Sequence, residues 1–188
     1  MLEFGILGKV DEIPDESMRF YALIGLCVST AAAIEHHMYD CYLSTCGKSE
    51  RDATKLFYKD VRFAHRRDLT NENVRATLAN STLLPVWDEI ICQIQAVCGP
   101  DGARNLVSHN PLTRFHFIRK NEDGSPRLQQ GSALYSDLAV NQNHNITAAG
   151  LRPPSNQTFQ TLKSYAYDLC SAELRIADFH TRHLAIRS

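Results

Sequence analysis

The residues best suited to chemistry lie in one short stretch, Ala103 to Asn110, which places Arg104, Asn105 and His109 within about one and a half helical turns. On a helix, Asn105 and His109 share a face, and the long side chain of Arg104 reaches round from the adjacent face. A histidine exchanges protons near neutral pH, and an arginine offers a fixed fork of donors to a phosphate. These residue types suit RNA cleavage by attack of a 2′-hydroxyl on the neighbouring phosphate, a reaction that needs no metal.

Chain breakers flank this stretch on both sides. Residues 99–102 (Gly-Pro-Asp-Gly) precede it, and Asn110 followed by Pro111 ends it. Asp101 is suited to cap a short helix over 103–109, whose amino terminus would add unpaired amides and a positive dipole end that favour phosphate. Spacing alone is equally compatible with ordinary helix-start solvation and packing, so that alternative stays open.

Hydrophobic periodicity predicts a mainly α protein: a bundle of four to five helices with a small β-hairpin inserted before the last helix. Capping and breaker residues set the bounds. The predicted helices run from 14 to about 45 (ending at Gly47), from 50 to 67, from Thr70 to an interruption near 80–84, from 85 to 98, and from 155 to about 184. Within 112–136, residues 113–120 and 127–135 predict the two strands. Residues 1–13, with Gly5 and Gly8, predict an extended arm.

Apolar side chains at spacings of three and four predict the buried face of each helix. They are Met18, Tyr21, Ile24, Ala31, Ile34, Met38 and Cys41; Ala53, Leu56, Phe57 and Ala64; Val74 and Leu78; Trp87, Ile90, Ile91, Ile94 and Val97; and Phe159, Leu162, Tyr165, Leu169, Ile176 and Ala177. Because these faces must cover one another, residues 1–188 are expected to form a single domain.

The composition excludes some classes of function. A formal net charge of -1 argues against a strongly basic nucleic-acid coat or a polybasic membrane binder, and leaves room for a local basic site. The six cysteines show no paired framework and no signal peptide is evident, which predicts reduced thiols in the cytoplasm. The apolar run Tyr21–Ile34 is too short to span a bilayer and predicts a core helix.

The segment Arg104-Asn105-Leu106-Val107-Ser108-His109 resembles the signature of the HEPN superfamily: arginine, a polar residue, three residues, then histidine. The order of the surrounding helices is similar too, with an acid (Glu35) in a long first helix, an apolar helix carrying Trp87 before the motif, and a long closing helix. The resemblance implies an all-α bundle, usually dimeric, in which two motifs face each other across a cleft. Many such proteins are metal-independent endoribonucleases of toxin–antitoxin, defence or RNA-processing systems. The short motif helix and the hairpin depart from the family pattern.

Carried over residue by residue, the resemblance makes Arg104 and His109 the catalytic pair and Asn105 the supporting polar residue. It implies RNA as partner, a homodimer, an antitoxin or other partner protein, and no cofactor, metal or membrane. Ser108, Arg114 and Arg119 are candidates to bind the substrate, because the predicted strand follows the motif directly. Glu35 is expected to face inward and to orient Arg104.

Three other interpretations remain. A non-catalytic dimeric module would bind nucleic acid, a nucleotide or a partner protein through the same cleft. A zinc enzyme would use the pairs His36/Asp40 and His37/Cys41, although no tight ligand motif accompanies them. A further basic run is expected to be a solvated helix face or a guide for RNA, and consists of Arg62, His65, Arg66 and Arg67. Near the carboxyl end, two histidines are expected to be exposed: His180 and His183.

Overall fold

The computed structural model describes residues 5–99, 112–120, 126–134 and 159–185, and the prediction of a mainly α protein is confirmed. The elements are α1 (Gly5–Asp11), α2 (Glu16–Thr45), α3 (Glu50–Phe57), α4 (Phe63–Thr77), α5 (Leu84–Cys98), β1 (Leu112–Lys120), β2 (Pro126–Leu134) and α6 (Phe159–Phe179), which continues into a π-helical turn (His180–Leu184).

The long helix α2 begins and ends within two residues of its predicted bounds. Asp15 caps its first turn by accepting a hydrogen bond from the backbone N–H of Met18 at 2.9 Å. At the other end, the helix stops at Thr45 and Gly47 adopts a φ of 62°, which is costly for any residue with a Cβ.

The amino-terminal half of α2 buries a different face from the predicted one. Met18 and Tyr21 are 58% and 55% exposed, whereas Phe20, Leu23 and Cys27 are buried. Residues 20–34 contain no charge, so the pattern offers two apolar faces and periodicity cannot choose between them. Phe20 packs edge-to-face on Phe159 at the start of α6, with ring centroids 5.7 Å apart, and this contact selects the face.

The predicted helix over 50–67 is wrong, because the chain forms two helices there. Ser49 caps α3 as expected, with its Oγ 3.3 Å from the backbone N of Asp52. The chain then turns at Asp60, whose carboxylate accepts from the backbone N–H of Arg62 at 2.8 Å and so competes with a helical bond. Thr70, predicted as a cap, lies inside α4 and donates to the carbonyls of Met38 and Arg66.

The predicted extended arm is also wrong, since residues 5–11 are helical. Leu7 and Val10 stand one turn apart on α1, and both are buried where α1 meets α2. Burying this pair outweighs the helix-weakening effect of Gly8, which lies on the exposed side.

Helix α2 is the centre of the bundle and packs against α3, α4 and α6. It runs parallel to α6, since successive residues of the two helices meet in the same order: Thr30 with Cys170, His37 with Glu173, and Ser44 with His180. Helix α5 packs on α6 and α4. Its predicted start near Pro85 and its predicted apolar face are confirmed, as Trp87, Ile90, Ile91, Ile94 and Val97 are all buried.

Two further features concern the chain outside this core. Strands β1 and β2 pair in antiparallel register, from Leu112 opposite Leu134 to Lys120 opposite Pro126. By length and composition alone, Met18–Thr45 of α2 could cross a membrane, because the apolar helix extends beyond the run Tyr21–Ile34. A core helix satisfies the same test, and one face of α2 is buried against α4 and α6.

Candidate functional site

The predicted catalytic residues Arg104, Asn105 and His109, and the predicted substrate-binding Ser108, lie outside the described residues. Arg114 and Arg119 fall on β1, where the backbone pairs them with Ser132 and Arg127 of β2. Glu35 is the one predicted site residue whose side chain the structure describes.

Glu35 faces the interior of the bundle, and its partner there is Arg66 of α4. The two side chains form an ion pair and are only 20% and 13% exposed. Arg66 also donates through Nε to the carbonyl of Asp60 at 3.1 Å, and its guanidinium lies 5.0 Å from the ring centroid of Tyr58. Burial raises the pKa of Tyr58, and Glu35 adds to the rise while Arg66 opposes it. The acid expected to orient Arg104 therefore holds Arg66 in the part of the chain that the structure describes.

The basic run from Arg62 to Arg67 is tied up in ion pairs. Arg62 donates to the carboxylate of Asp60, where the hydrogen bonds to Arg62 hold the pKa of that carboxyl well below its usual range. Arg67 donates through Nε to Asp68 at 2.9 Å. With Arg66 paired to Glu35, all three arginines of this run already neutralise a carboxylate.

A second group of titratable side chains lies between α2 and the end of α6. His37 Nε2 lies 3.1 Å from Glu173 Oε1, and its Nδ1 lies 3.6 Å from Asp40 Oδ2. Two turns further along, Ser44 Oγ lies 3.1 Å from His180 Nε2. Burial lowers the pKa of His180, a shift that Asp40 opposes and His37 reinforces. The contacts of His37 with Glu173 and of Ser44 with His180 join the two helices.

These side chains do not form a metal centre. Among the residues that the structure describes, no group of three or more His, Cys, Asp or Glu is placed to hold a metal ion. Cys41, a member of one of the two pairs predicted for zinc, is fully buried, and burial raises the pKa of its thiol. All six cysteines are free thiols.

An open groove of about 480 Å³ lies between α3 and α4, with Tyr42 of α2 contributing to its lining. Its apolar lining includes Leu56 and Leu69, and Lys48, Lys59 and His65 supply its basic groups. We call it the Lys48–Lys59 groove. Glu72, Asn73 and Ala76 complete the lining.

Sequence reasoning missed Ser44, Glu173 and the true setting of His180, which was predicted to be exposed and is half-buried. The signal was present in the spacing. On α2, His37 and Ser44 are two helical turns apart, and on α6 Glu173 and His180 have the same separation. Polar residues therefore interrupt the two contacting faces at matching intervals. His183, also predicted to be exposed, packs its ring 5.2 Å from that of Phe179.

Comparison of the chain with family models, with curated proteins and with solved structures found no match.

Proposed function

We propose that this chain is a HEPN-type endoribonuclease that cleaves RNA without a metal, using Arg104, Asn105 and His109. The observation that carries the proposal is the arginine–polar–x-x-x–histidine motif between an apolar helix and a long closing helix of a mainly α domain. Helix α5 with buried Trp87 and helix α6 supply that setting.

In the proposed reaction, His109 takes the proton of a ribose 2′-hydroxyl, whose oxygen then bonds to the adjacent phosphorus. Arg104 stabilises the negative charge that grows on the phosphate oxygens. The bond from phosphorus to the 5′-oxygen breaks, and that oxygen receives a proton from solvent water while the imidazolium of His109 releases its proton to solvent. The products are a 2′,3′-cyclic phosphate and a 5′-hydroxyl, with atoms and charge in balance. Asn105 orients the imidazole or the substrate, and Ser108, Arg114 and Arg119 contact the RNA.

The finer architecture belongs to the same proposal. The functional unit is a cytoplasmic homodimer whose two motifs face each other across a cleft, β1 and β2 act as a hairpin insertion beside that cleft, and an antitoxin or other partner protein controls the activity. The exposed face of α2, which carries Met18, Tyr21 and Val28 without a described partner helix, supports self-association.

The decisive experiment substitutes Arg104 and His109 by alanine and measures cleavage of unstructured RNA in the presence of a chelator. We expect cleavage to fall by at least about a hundredfold, since each group acts directly on the transition state. The matched control is Arg182→Ala with His36→Ala, which removes the same two residue types at positions 69% and 68% exposed. Undiminished cleavage by the motif variant would refute the proposal.

A second candidate is a non-catalytic dimeric module that binds nucleic acid, a nucleotide or a partner protein. The net charge of -1 and the pairing of Arg62, Arg66 and Arg67 with carboxylates favour its nucleotide-binding or protein-binding form, because both limit the affinity for extended RNA. It predicts binding without turnover, so product analysis after long incubation with several RNAs separates the two.

A further inference from the structure

The cations between residues 48 and 67 divide into two sets. Arg62, Arg66 and Arg67 each contact a carboxylate. Lys48, Arg51, Lys55 and Lys59 are exposed, and none of them has a carboxylate within 4.0 Å among the described residues. The second set therefore carries positive charge that the fold leaves available to an external anion.

Two members of the second set, Lys48 and Lys59, line one concave surface. The Lys48–Lys59 groove sets these ammonium groups and His65 beside the apolar side chains of Leu56 and Leu69. Leu56 is 39% exposed although it is apolar, so its surface is open to a flat apolar partner. Cations beside an apolar wall suit a chain that alternates charged linkers with flat rings.

The polar groups of the groove point to a nucleobase. The amide of Asn73 donates to the carbonyl of Leu69 at 2.8 Å, which leaves its oxygen free to accept a hydrogen bond. Glu72 adds a second acceptor. The bases of RNA carry amino groups that can donate to these acceptors, whereas the carboxylate side chains of an acidic peptide carry no donor. Acceptors next to lysines that meet phosphates therefore favour a nucleic-acid strand.

We propose that the Lys48–Lys59 groove binds single-stranded RNA, with phosphates at Lys48 and Lys59 and a base against Leu56 and Leu69. The inference rests on the proposed ribonuclease function for its biological meaning, and it adds a surface for the substrate whose residues are separate from the motif in sequence. These residues position RNA and take no part in the bond changes.

The test measures binding of a short single-stranded 2′-O-methyl RNA, which cannot undergo 2′-hydroxyl attack, by fluorescence anisotropy over a range of salt. Lys48→Glu and Lys59→Glu should each weaken binding about tenfold or more, and each should reduce the slope of log K against log salt by about 0.7 per lost phosphate contact. The matched control is Lys55→Glu, a lysine on α3 that is also exposed and lies between the other two in the chain, but does not line the groove. It should weaken binding less than about threefold, because its charge acts through screening solvent.

Several results would overturn the proposal: no binding by the unaltered chain, unchanged binding by the groove variants, or an equal loss in Lys55→Glu. Binding of a polyglutamate probe in place of RNA would assign the groove to an acidic protein segment and would also overturn it. Because the 2′-O-methyl RNA cannot be cleaved, its binding is measured independently of catalysis. A groove that binds RNA in a protein that does not cleave RNA would refute the proposed nuclease and leave the RNA groove standing.

Discussion

At the scale of single residues, the pairing of Glu35 with Arg66 separates a structural role from a catalytic one. The pair is mostly buried and bridges α2 to α4, so Glu35→Gln leaves the guanidinium without its counter-charge. We expect the free energy of unfolding to fall by about 1–3 kcal/mol, as for other partly buried charged groups deprived of a partner. Urea unfolding measures this change. The matched control is Asp68→Asn, whose side chain is 65% exposed and which should cost less than about 0.5 kcal/mol.

The same variant also tests the predicted link to Arg104. If Glu35→Gln kept full stability and lost RNA cleavage, the acid would act on the motif, as the resemblance implies, and the structural role would be wrong. The sequence pattern correctly predicted that Glu35 faces inward. It could not identify the partner, because Glu35 and Arg66 are 31 positions apart and the unpredicted turn at Asp60 lies between them.

At the scale of elements, the contact between α2 and α6 should weaken in acid because of His180. The pKa of this imidazole is lowered from its ordinary 6.5 by burial, with Asp40 opposing the shift and His37 reinforcing it, while Ser44 is its hydrogen-bond partner. As the pH falls below about 6.5, the unfolded chain takes up a proton that the folded protein resists. Stability is therefore retained above that pH and lost below it.

His180→Gln removes this titration and keeps a polar group near Ser44. We expect the variant to lose less stability than the unaltered chain when the pH is lowered from about 7.5 to about 5.5, a window set by the ordinary histidine value. Thermal unfolding at both pH values gives the comparison. His36→Gln serves as the control, because its ring is 68% exposed and should leave the acid response unchanged. An identical acid response in all three proteins would remove His180 as its source.

The accuracy of the predicted elements follows from how local their causes are. The ends of α2 and the start of α5 depend on Asp15, Gly47 and Pro85, which act within one turn. Gly47 and Pro85 were read correctly, and the predicted start of α2 at residue 14 was two residues early because Asp15 is its cap. The break between α3 and α4 depends on the contact of the Asp60 carboxylate with the backbone N–H of Arg62. This local signal was missed because the apolar spacing of 50–67 favoured one continuous helix. The buried face of α2 was decided by Phe159, which is distant in sequence.

At the scale of the whole molecule, the long apolar run of α2 correctly predicted a core helix but did not show that one of its apolar faces is exposed. Residues 20–34 are uncharged all round, yet only one side of α2 is covered by described helices. The opposite side exposes residues at alternating spacings of three and four, the pattern of a helix–helix seam: Met18, Tyr21, Gly25, Val28 and Ala32. We call this row the α2 seam.

The α2 seam gives the proposed homodimer a definite test. Gly25 and Ala32 are small enough for two helices to approach closely, and Val28, which is 47% exposed, lies near the centre of the row. Val28→Arg should barely affect a monomer, since the side chain is already solvated. In a dimer paired through the seam it would bury two unpaired charges, and we expect the dissociation constant to rise at least tenfold, measured by sedimentation.

The matched control is Leu174→Arg on α6, a position 39% exposed and away from the seam, which should leave the dimer intact. Equal dissociation by both variants would mean that added charge, and not the seam, disrupts the assembly. A monomeric unaltered chain would refute the homodimer. If the unaltered chain instead partitioned into lipid vesicles and Val28→Arg released it, the seam would face a membrane, as the length and composition of α2 also allow. The same substitution thus distinguishes a second protomer from a membrane as the partner of this uncharged face. A charge is costly in either environment, but only loss of a dimer changes the mass of the protein in solution.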